Sequence, residues 1–261
     1  MNTLLEFCDL SISYPKRARP AVDHVSFAVP EGAIVVVVGE SGSGKSTLLR
    51  AALRLLPGEG TISGGSIRFG DTELTALSER DMRRLRGERI GMIFQDAGLY
   101  MDSRKTIRYQ YIESIRAHLK LSAAEAEALA RDMFSRMALT EPERILSAYP
   151  FELSGGQKQR AAIAMAMTMK PDLLLADEPT SALDVTVQAQ VVRQIMQLRA
   201  QFGTTVLLVT HNMGVASFMA DYIAVMQGGR LVEWGPKAQV IEAPQSAYTQ
   251  KLLAAVPELV V

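Results

Sequence analysis

Gly39-Glu40-Ser41-Gly42-Ser43-Gly44-Lys45-Ser46-Thr47 is the stretch that decides the fold. Ahead of it run Ile34-Val35-Val36-Val37-Val38, apolar and β-branched. Behind it Leu48-Leu49-Arg50-Ala51-Ala52-Leu53-Arg54-Leu55-Leu56 has helical spacing. The pattern G-x-x-x-x-G-K-S between a strand and a helix reads as a phosphate-binding loop. Glycines let the backbone curl so that successive N–H groups point inward and no side chain blocks a phosphate. The helix starting near Lys45 aims its positive end at the same point. Lys45 adds a full charge toward β/γ oxygens; a unit pair about 4 Å apart is worth about 4 kcal/mol at an effective dielectric near 20. Ser46 offers a hydroxyl to Mg²⁺.

The bulk numbers bound what surrounds this loop. A length of 261 residues fits one large domain, or one domain with a subdomain. Hydrophobic residues make up 48% and charged residues 21%, as in ordinary globular chains. Lys+Arg and Asp+Glu both number 28, and this balance argues against bulk nucleic-acid binding. Cys8 is the single cysteine, which excludes an intramolecular disulfide and a Cys-based metal or iron–sulfur site. No apolar run reaches about 18 residues, so no transmembrane helix is expected. The stretch Met1 to Leu10, with Glu6 and Asp9, does not read as a signal peptide.

Outward from the loop, residues 3–14 and 24–29 read as strands joined by a basic turn with Lys16, Arg17 and Arg19. Tyr14, at the strand end, is placed to stack on a nucleobase. The phosphate-loop helix stops at Pro57-Gly58. Ile62 to Leu74 reads as a further antiparallel piece, and Ser78 to Asp81 as a capping box before a short basic helix. Arg89 to Phe94 is the next strand, with Gln95 at its end. From Asp96 to about Tyr149 the composition turns helical, with candidates at 104–119 and 122–137. Strands return at Leu173 to Glu178 and Thr205 to Thr210, each followed by a helix (185–202 and 212–220). A hairpin follows around Gln227-Gly228-Gly229, then a polar tail with a helix near 248–255.

Strands with crossover helices imply a mainly parallel sheet, whose ligands bind outside the carboxyl ends of the strands. Gly39, Gln95, Asp177, Glu178 and His211 each follow such an end, so they are expected to converge. Asp177, after four apolar residues, reads as a carboxylate for Mg²⁺. Glu178 is placed to polarise an attacking water as general base. Gln95 can touch both metal and water, and His211 can hydrogen-bond the γ-phosphate. Leu153-Ser154-Gly155-Gly156-Gln157 carries a second anion-binding helix start, with Ser154 and Gln157 in capping-box relation. One chain with two phosphate-directed sites and one phosphate loop suggests that the Ser154 helix closes a site on a partner chain.

Together these motifs resemble the nucleotide-binding subunits of ABC (ATP-binding cassette) transporters over nearly the whole chain. Gly39–Ser46 resembles Walker A, Leu173–Asp177 with Glu178 Walker B and the catalytic glutamate, and Leu153–Gln157 the family signature. Gln95 is similar to the Q-loop glutamine, Ser181-Ala182-Leu183-Asp184 to the D-loop, His211 to the switch histidine and Tyr14 to the adenine-stacking aromatic. The resemblance implies an α/β fold of the P-loop NTPase type, with a RecA-like core, an antiparallel β subdomain and a helical subdomain. Its expected bounds are 1–95 and 160–235 for the core with the β subdomain, 96–159 for the helical subdomain and 236–261 for a tail. It implies ATP and Mg²⁺, the ion held by Ser46, Gln95 and Asp177. Catalysis falls to Glu178, His211, Gln95 and Lys45. Nucleotide contacts come from Tyr14, Gly39, Glu40, Ser41, Gly42, Ser43, Gly44, Lys45, Ser46, Thr47 and Gln95. Across a dimer they come from Ser154, Gly155, Gly156, Gln157 and Asp184.

Within the family, Arg84–Gly87, Ile90–Asp96, Tyr149–Glu152, Asp177–Gln188 and the tail Ala247–Leu253 resemble the peptide/opine/nickel importer ATPases. That likeness implies an ATPase driving uptake of peptide, nickel or a related metal chelate. Its implied partners are integral-membrane permeases, a second ATPase subunit (identical or paralogous) and, indirectly, an extracytoplasmic solute-binding protein, with no nucleic acid. Its place would be peripheral, on the cytoplasmic face of the inner membrane. Where that group usually carries Pro-x-x-Ser-Leu-Asn-Pro after Gln95-Asp96, this chain reads Ala97-Gly98-Leu99-Tyr100-Met101-Asp102-Ser103, beside the expected permease contact. Cysteine-rich tails occur in some relatives; with Cys8 alone, no iron–sulfur cluster is expected. The alternative is an ABC-type ATPase scaffold outside transport.

Overall fold

The computed structural model describes residues 2–15, 17–181 and 183–255. Lys16 of the basic turn, Ala182 of the D-loop, Met1 and the tail from Val256 to Val261 lie outside the described residues. In chain order the elements are β1 (Thr3–Ser13), β2 (Val22–Pro30), β3 (Ile34–Val38), α1 (Lys45–Ala52), β4 (Thr61–Phe69), β5 (Thr72–Glu73), α2 (Glu79–Leu85) and β6 (Ile90–Ile93). Then come α3 (Ala97–Tyr100), α4 (Ile107–Arg116), α5 (Ala123–Arg136), α6 (Pro142–Ser147), α7 (Gly155–Thr168), β7 (Leu173–Asp177) and α8 (Val185–Phe202). The chain continues through β8 (Thr205–Thr210), α9 (Met213–Met219), β9 (Tyr222–Gln227), β10 (Arg230–Pro236), α10 (Lys237–Glu242) and α11 (Ala247–Ala254). The described residues fall into two compact units: those up to Met82 with those from Thr205 onward, and Arg83–Thr204.

In the first unit, β3 runs parallel to both β8 and β9, and β9 pairs antiparallel with β10. Every residue of β3 and of β8 is buried. A strand covered on both faces has no use for alternation, which explains the unbroken Val-rich runs. Beside these strands lies an antiparallel sheet in the order β2-β1-β4-β5. Here alternation is present but changes phase: Leu5 and Phe7 are buried on β1, then Leu10 and Ile12. The register shifts between Phe7 and Leu10, where Asp9 has φ 48 and His24 across from it φ 51. This bulge absorbs the odd residue and returns the apolar side chains to the core face. Phe27 on β2 packs at a tilt between Phe7, 4.9 Å away, and Trp234 of β10, 5.3 Å away.

The helix after the phosphate loop ends at Ala52, four residues short of Leu56. Arg54 takes the left-handed position (φ 53) that usually falls to glycine, and its amide donates to the Ala51 carbonyl at 2.9 Å. The hairpin between β9 and β10 turns on Gly228 and Gly229, both at positive φ.

In the second unit, β6 pairs parallel with β7 in the register Ile90↔Leu173 to Ile93↔Ala176. Helices α3 to α7 lie between these strands in sequence. Caps predicted from sequence are present: Ser122 with Glu125 on α5, and Ser154 with Gln157 on α7. Tyr111 of α4 is fully buried, edge-on to Phe134 of α5. Its hydroxyl donates to Thr168 Oγ1 at 2.6 Å, which donates to the Ala164 carbonyl at 2.7 Å. Burial raises the Tyr111 phenol well above its ordinary value. Short helices α3, α6 and α10 escaped the sequence reading, since four to six residues are too few to display a 3.6 period. Among the described residues no helix is long and apolar enough to cross a membrane.

Candidate functional site

The phosphate loop is fixed by close backbone approach. A Cβ on Gly39 would lie 2.1 Å from the Met226 carbonyl oxygen of β9, and one on Gly44 2.3 Å from that of Ala21. Only glycine lets the loop lie this flat. Gly44 is also the N-cap of α1, and no side chain caps that helix start. A helix start without a capping side chain leaves room for an anion to approach its positive end. Lys45 is 4% exposed. Its Nζ donates to the Gly39 and Glu40 carbonyls, both at 2.8 Å, and lies 3.4 Å from Ser43 Oγ. The ammonium thus donates to two backbone carbonyls of the loop itself. Ser46 and Thr47 occupy the first turn of α1.

His211 belongs to the same unit. Val38 and Thr210 are register partners at the ends of β3 and β8, so Gly39 and His211 leave adjacent strand ends. His211 is exposed, and Asn212 beside it caps α9 through the Gly214 and Val215 amides. Tyr14 leaves the end of β1 with Arg17 above its ring, 5.8 Å from the centroid. A Cβ on Gly60 would fall 2.6 Å from that ring.

In the second unit, Ile93 and Ala176 pair, so Gln95 and Asp177 leave neighbouring strand ends too. Asp177 is completely buried, whereas Gln95 is exposed. Glu178 is half-buried and left-handed, with φ 46. A non-glycine residue is held there only when its surroundings over-determine it, a condition that clusters at functional sites. The Gln188 side chain, which sequence reasoning missed, donates to the Thr180 and Leu183 carbonyls and braces the turn after Glu178. A glutamine inside a helix carries no pattern that foretells this.

The Ser154 Oγ accepts from the Gln157 amide at 3.2 Å, and Gln157 Oε1 accepts from the Ser154 amide at 3.1 Å. A Cβ on Gly156 would sit 3.1 Å from Val187 Cγ1, so the start of α7 lies against that of α8, which Asp184 caps through the Val187 amide at 3.0 Å. Ser154 and Gly155 are exposed, and a Cβ on Gly155 would meet nothing within 4 Å. Neither packing nor backbone angle within the chain requires glycine at that position.

The segment 97–103 opens with α3, capped by Asp96 through the Gly98 amide at 3.0 Å, and leaves the helix at Met101. Tyr100 stacks on Phe94 with centroids 4.1 Å apart. The two rings line a groove of about 230 Å³ with Met92, His118, Met165 and Met169. The donors expected to serve a metal, Ser46, Gln95 and Asp177, present a hydroxyl, an amide oxygen and a carboxylate. This all-oxygen chemistry suits Mg²⁺, which takes few protein ligands and the rest from phosphate and water.

A strand–loop–helix with a buried lysine, beside parallel strands ending in chemical side chains, defines a P-loop nucleotide-binding cassette. The ABC transporter family profile matches residues 22–181. The chain belongs to this family. It is 43% identical over 258 residues to the peptidoglycan transport ATP-binding protein YejF of Agrobacterium fabrum, covering 98% of this chain and 47% of that protein. It therefore spans about half the length of that relative. It is 39% identical to the oligopeptide transport ATP-binding protein AmiE of Streptococcus pneumoniae, covering 99% of this chain and 74% of AmiE. Among solved structures, the cassette MJ0796, captured as a dimer in a post-hydrolysis state with ADP and Pi, matches with a TM-score of 0.81 at 26% identity. That match covers 90% of this chain and 99% of MJ0796.

Proposed function

We propose that this chain is the ATP-hydrolysing subunit of an importer of peptides or a related cargo, with nickel and metal chelates as the other cargo classes. The observation that carries the dimeric part is Gly155: an exposed helix start with a glycine that nothing inside the chain demands. A partner's γ-phosphate supplies the demand. In this reading two chains, identical or paralogous, sandwich two ATP molecules head to tail. Tyr14 stacks on adenine; Lys45 and the amides of 39–47 hold the phosphates; Ser154, Gly155, Gly156, Gln157 and Asp184 close the site from the other chain. Ser46, Gln95 and Asp177 would hold Mg²⁺, which neutralises charge on the phosphate oxygens when bound.

Glu178 takes the proton of the attacking water, and His211 holds the γ-phosphate in register. Closure on ATP and reopening after hydrolysis move permease subunits docked at the groove beside Tyr100, biasing a two-state change. Residues 1–95 and 160–235 form the core with its β subdomain in this scheme, 96–159 the helical subdomain and 236–261 the tail. The protein sits peripherally on the cytoplasmic face of the inner membrane and works with an extracytoplasmic solute-binding protein. The names of the relatives, peptidoglycan and oligopeptide transport proteins, support the peptide class.

The test is Glu178→Gln. It should bind ATP and dimerise, yet hydrolyse roughly 10² to 10⁴ times more slowly, the usual contribution of a general base. Hydrolysis at the wild-type rate would overturn the role of Glu178. Capture from a detergent extract decides the setting: co-purifying permeases support import, and a purely soluble complex supports the scaffold reading instead.

A further inference from the structure

The first peptide of the phosphate loop is held at both edges. Its carbonyl, that of Gly39, accepts from Lys45 Nζ at 2.8 Å. Its N–H, that of Glu40, donates to the Tyr248 hydroxyl at 3.0 Å, across 208 positions of sequence. Tyr248 lies on α11 and is 9% exposed. Its place is fixed in turn from β10. Glu233 accepts from the Gln245 amide at 2.8 Å and the Ser246 amide at 3.1 Å, and Ser246 Oγ accepts from the Tyr248 amide at 3.2 Å. Burial works to raise the Glu233 carboxyl; the Thr249 side chain and the two amides together outweigh it and leave it below its ordinary value. Glu233 is therefore an anionic anchor for the start of α11.

Lys45 must turn toward a phosphate when one arrives, and in doing so it gives up acceptors among the Gly39 and Glu40 carbonyls. The Tyr248 bond does not involve Lys45 and persists through that change. We propose that Tyr248 is a positioning residue of the nucleotide site: it fixes the Gly39–Glu40 peptide plane while Lys45 changes partners, and so sets the affinity for the phosphate groups. This rests on Gly39–Thr47 being the phosphate site. It assigns the C-terminal helix, otherwise a plain appendage, a part in nucleotide binding.

The experiment uses the full chain and measures ATP and adenosine affinity by calorimetry alongside steady-state ATPase. Tyr248→Phe should raise both Kd and KM for ATP about tenfold, the worth of one hydrogen bond to a part-buried amide. kcat should stay within about twofold and adenosine affinity should not change, because the bond serves the phosphates and not the base. Glu233→Gln loosens α11 without touching the loop and should raise KM about threefold, a weakened hydrogen bond; it carries the test alone if Tyr248→Phe does not fold. Unchanged ATP affinity in both variants overturns the proposal, as does an equal loss of ATP and adenosine with a lowered Tm, which marks a merely structural role. Lys45→Ala is the control for the underlying reading. If it binds ATP like wild type, the phosphate-loop assignment itself falls; if it loses ATP while Tyr248→Phe does not, only the role of Tyr248 falls.

Discussion

Gly39 and Gly155 both precede or open a helix start, and the chain constrains them in opposite ways. At Gly39 the reason is inside the chain: a methyl group would overlap the Met226 carbonyl, which is backbone and cannot step aside. At Gly155 a methyl group would meet nothing within 4 Å, and on the proposed two-chain site the reason lies in the partner. The two alanine variants should therefore part company. Gly39→Ala should lose ATP binding and be visibly destabilised. Gly155→Ala should keep or slightly raise its Tm, since alanine is better in a helix by about 0.5–1 kcal/mol, yet lose ATPase activity and ATP-driven dimerisation. Full activity in Gly155→Ala would remove the argument for a partner at that helix start. At this scale the phosphate loop, the strand end at Asp177 and the Ser154–Gln157 cap were legible, because each rests on residue types at fixed short spacing. The left-handed Glu178 and the Tyr248–Glu40 bond were not. The first is a backbone state that a glutamate does not advertise, and the second joins residues that only the fold brings together.

Among the elements, the longer ones followed their patterns: β3, α8 and β8 occupy the spans their apolar runs mark out. β1 is the instructive case, since its alternation breaks midway and the sequence alone gives no reason. The break is the bulge at Asp9 and His24, where His24 Nδ1 lies 2.8 Å from Asp9 Oδ1. The hydrogen bond and charge of Asp9 raise the His24 pKa above its ordinary 6.5, with burial opposing slightly. The sign follows. Below the unfolded value of 6.5 the histidine is protonated in both states and the pair stabilises fully; as pH rises through the higher folded value that contribution is lost. An NMR titration of His24 should give a midpoint above 6.5, returning toward 6.5 in Asp9→Asn. The exposure of the pair makes the shift shrink with added salt. A midpoint unmoved by Asp9→Asn would mean that the bulge is set by backbone alone.

For the molecule as a whole, the decisive matter is whether a catalytic site is finished by one chain or by two. If the loop of one chain works with the Ser154 helix of another, Lys45→Ala and Ser154→Arg damage different halves. In any dimer of a pure variant both sites carry one damaged half, so each variant alone should be nearly inactive. Mixed in equal amounts they complement each other: the mixed dimer has one site built from an intact loop and an intact helix start, and one in which both halves are damaged. Random pairing makes half the dimers mixed, each with one good site of two, so about a quarter of wild-type turnover should return. The recovered rate should rise with total protein, because pairing is bimolecular. If each chain finished its own site, mixing would restore nothing at any concentration. Wild-type chain that stays inactive alone, even when concentrated, would point to a paralogous partner. The same mixing design then carries over to the pair, with Lys45→Ala here tested against a helix-start variant there.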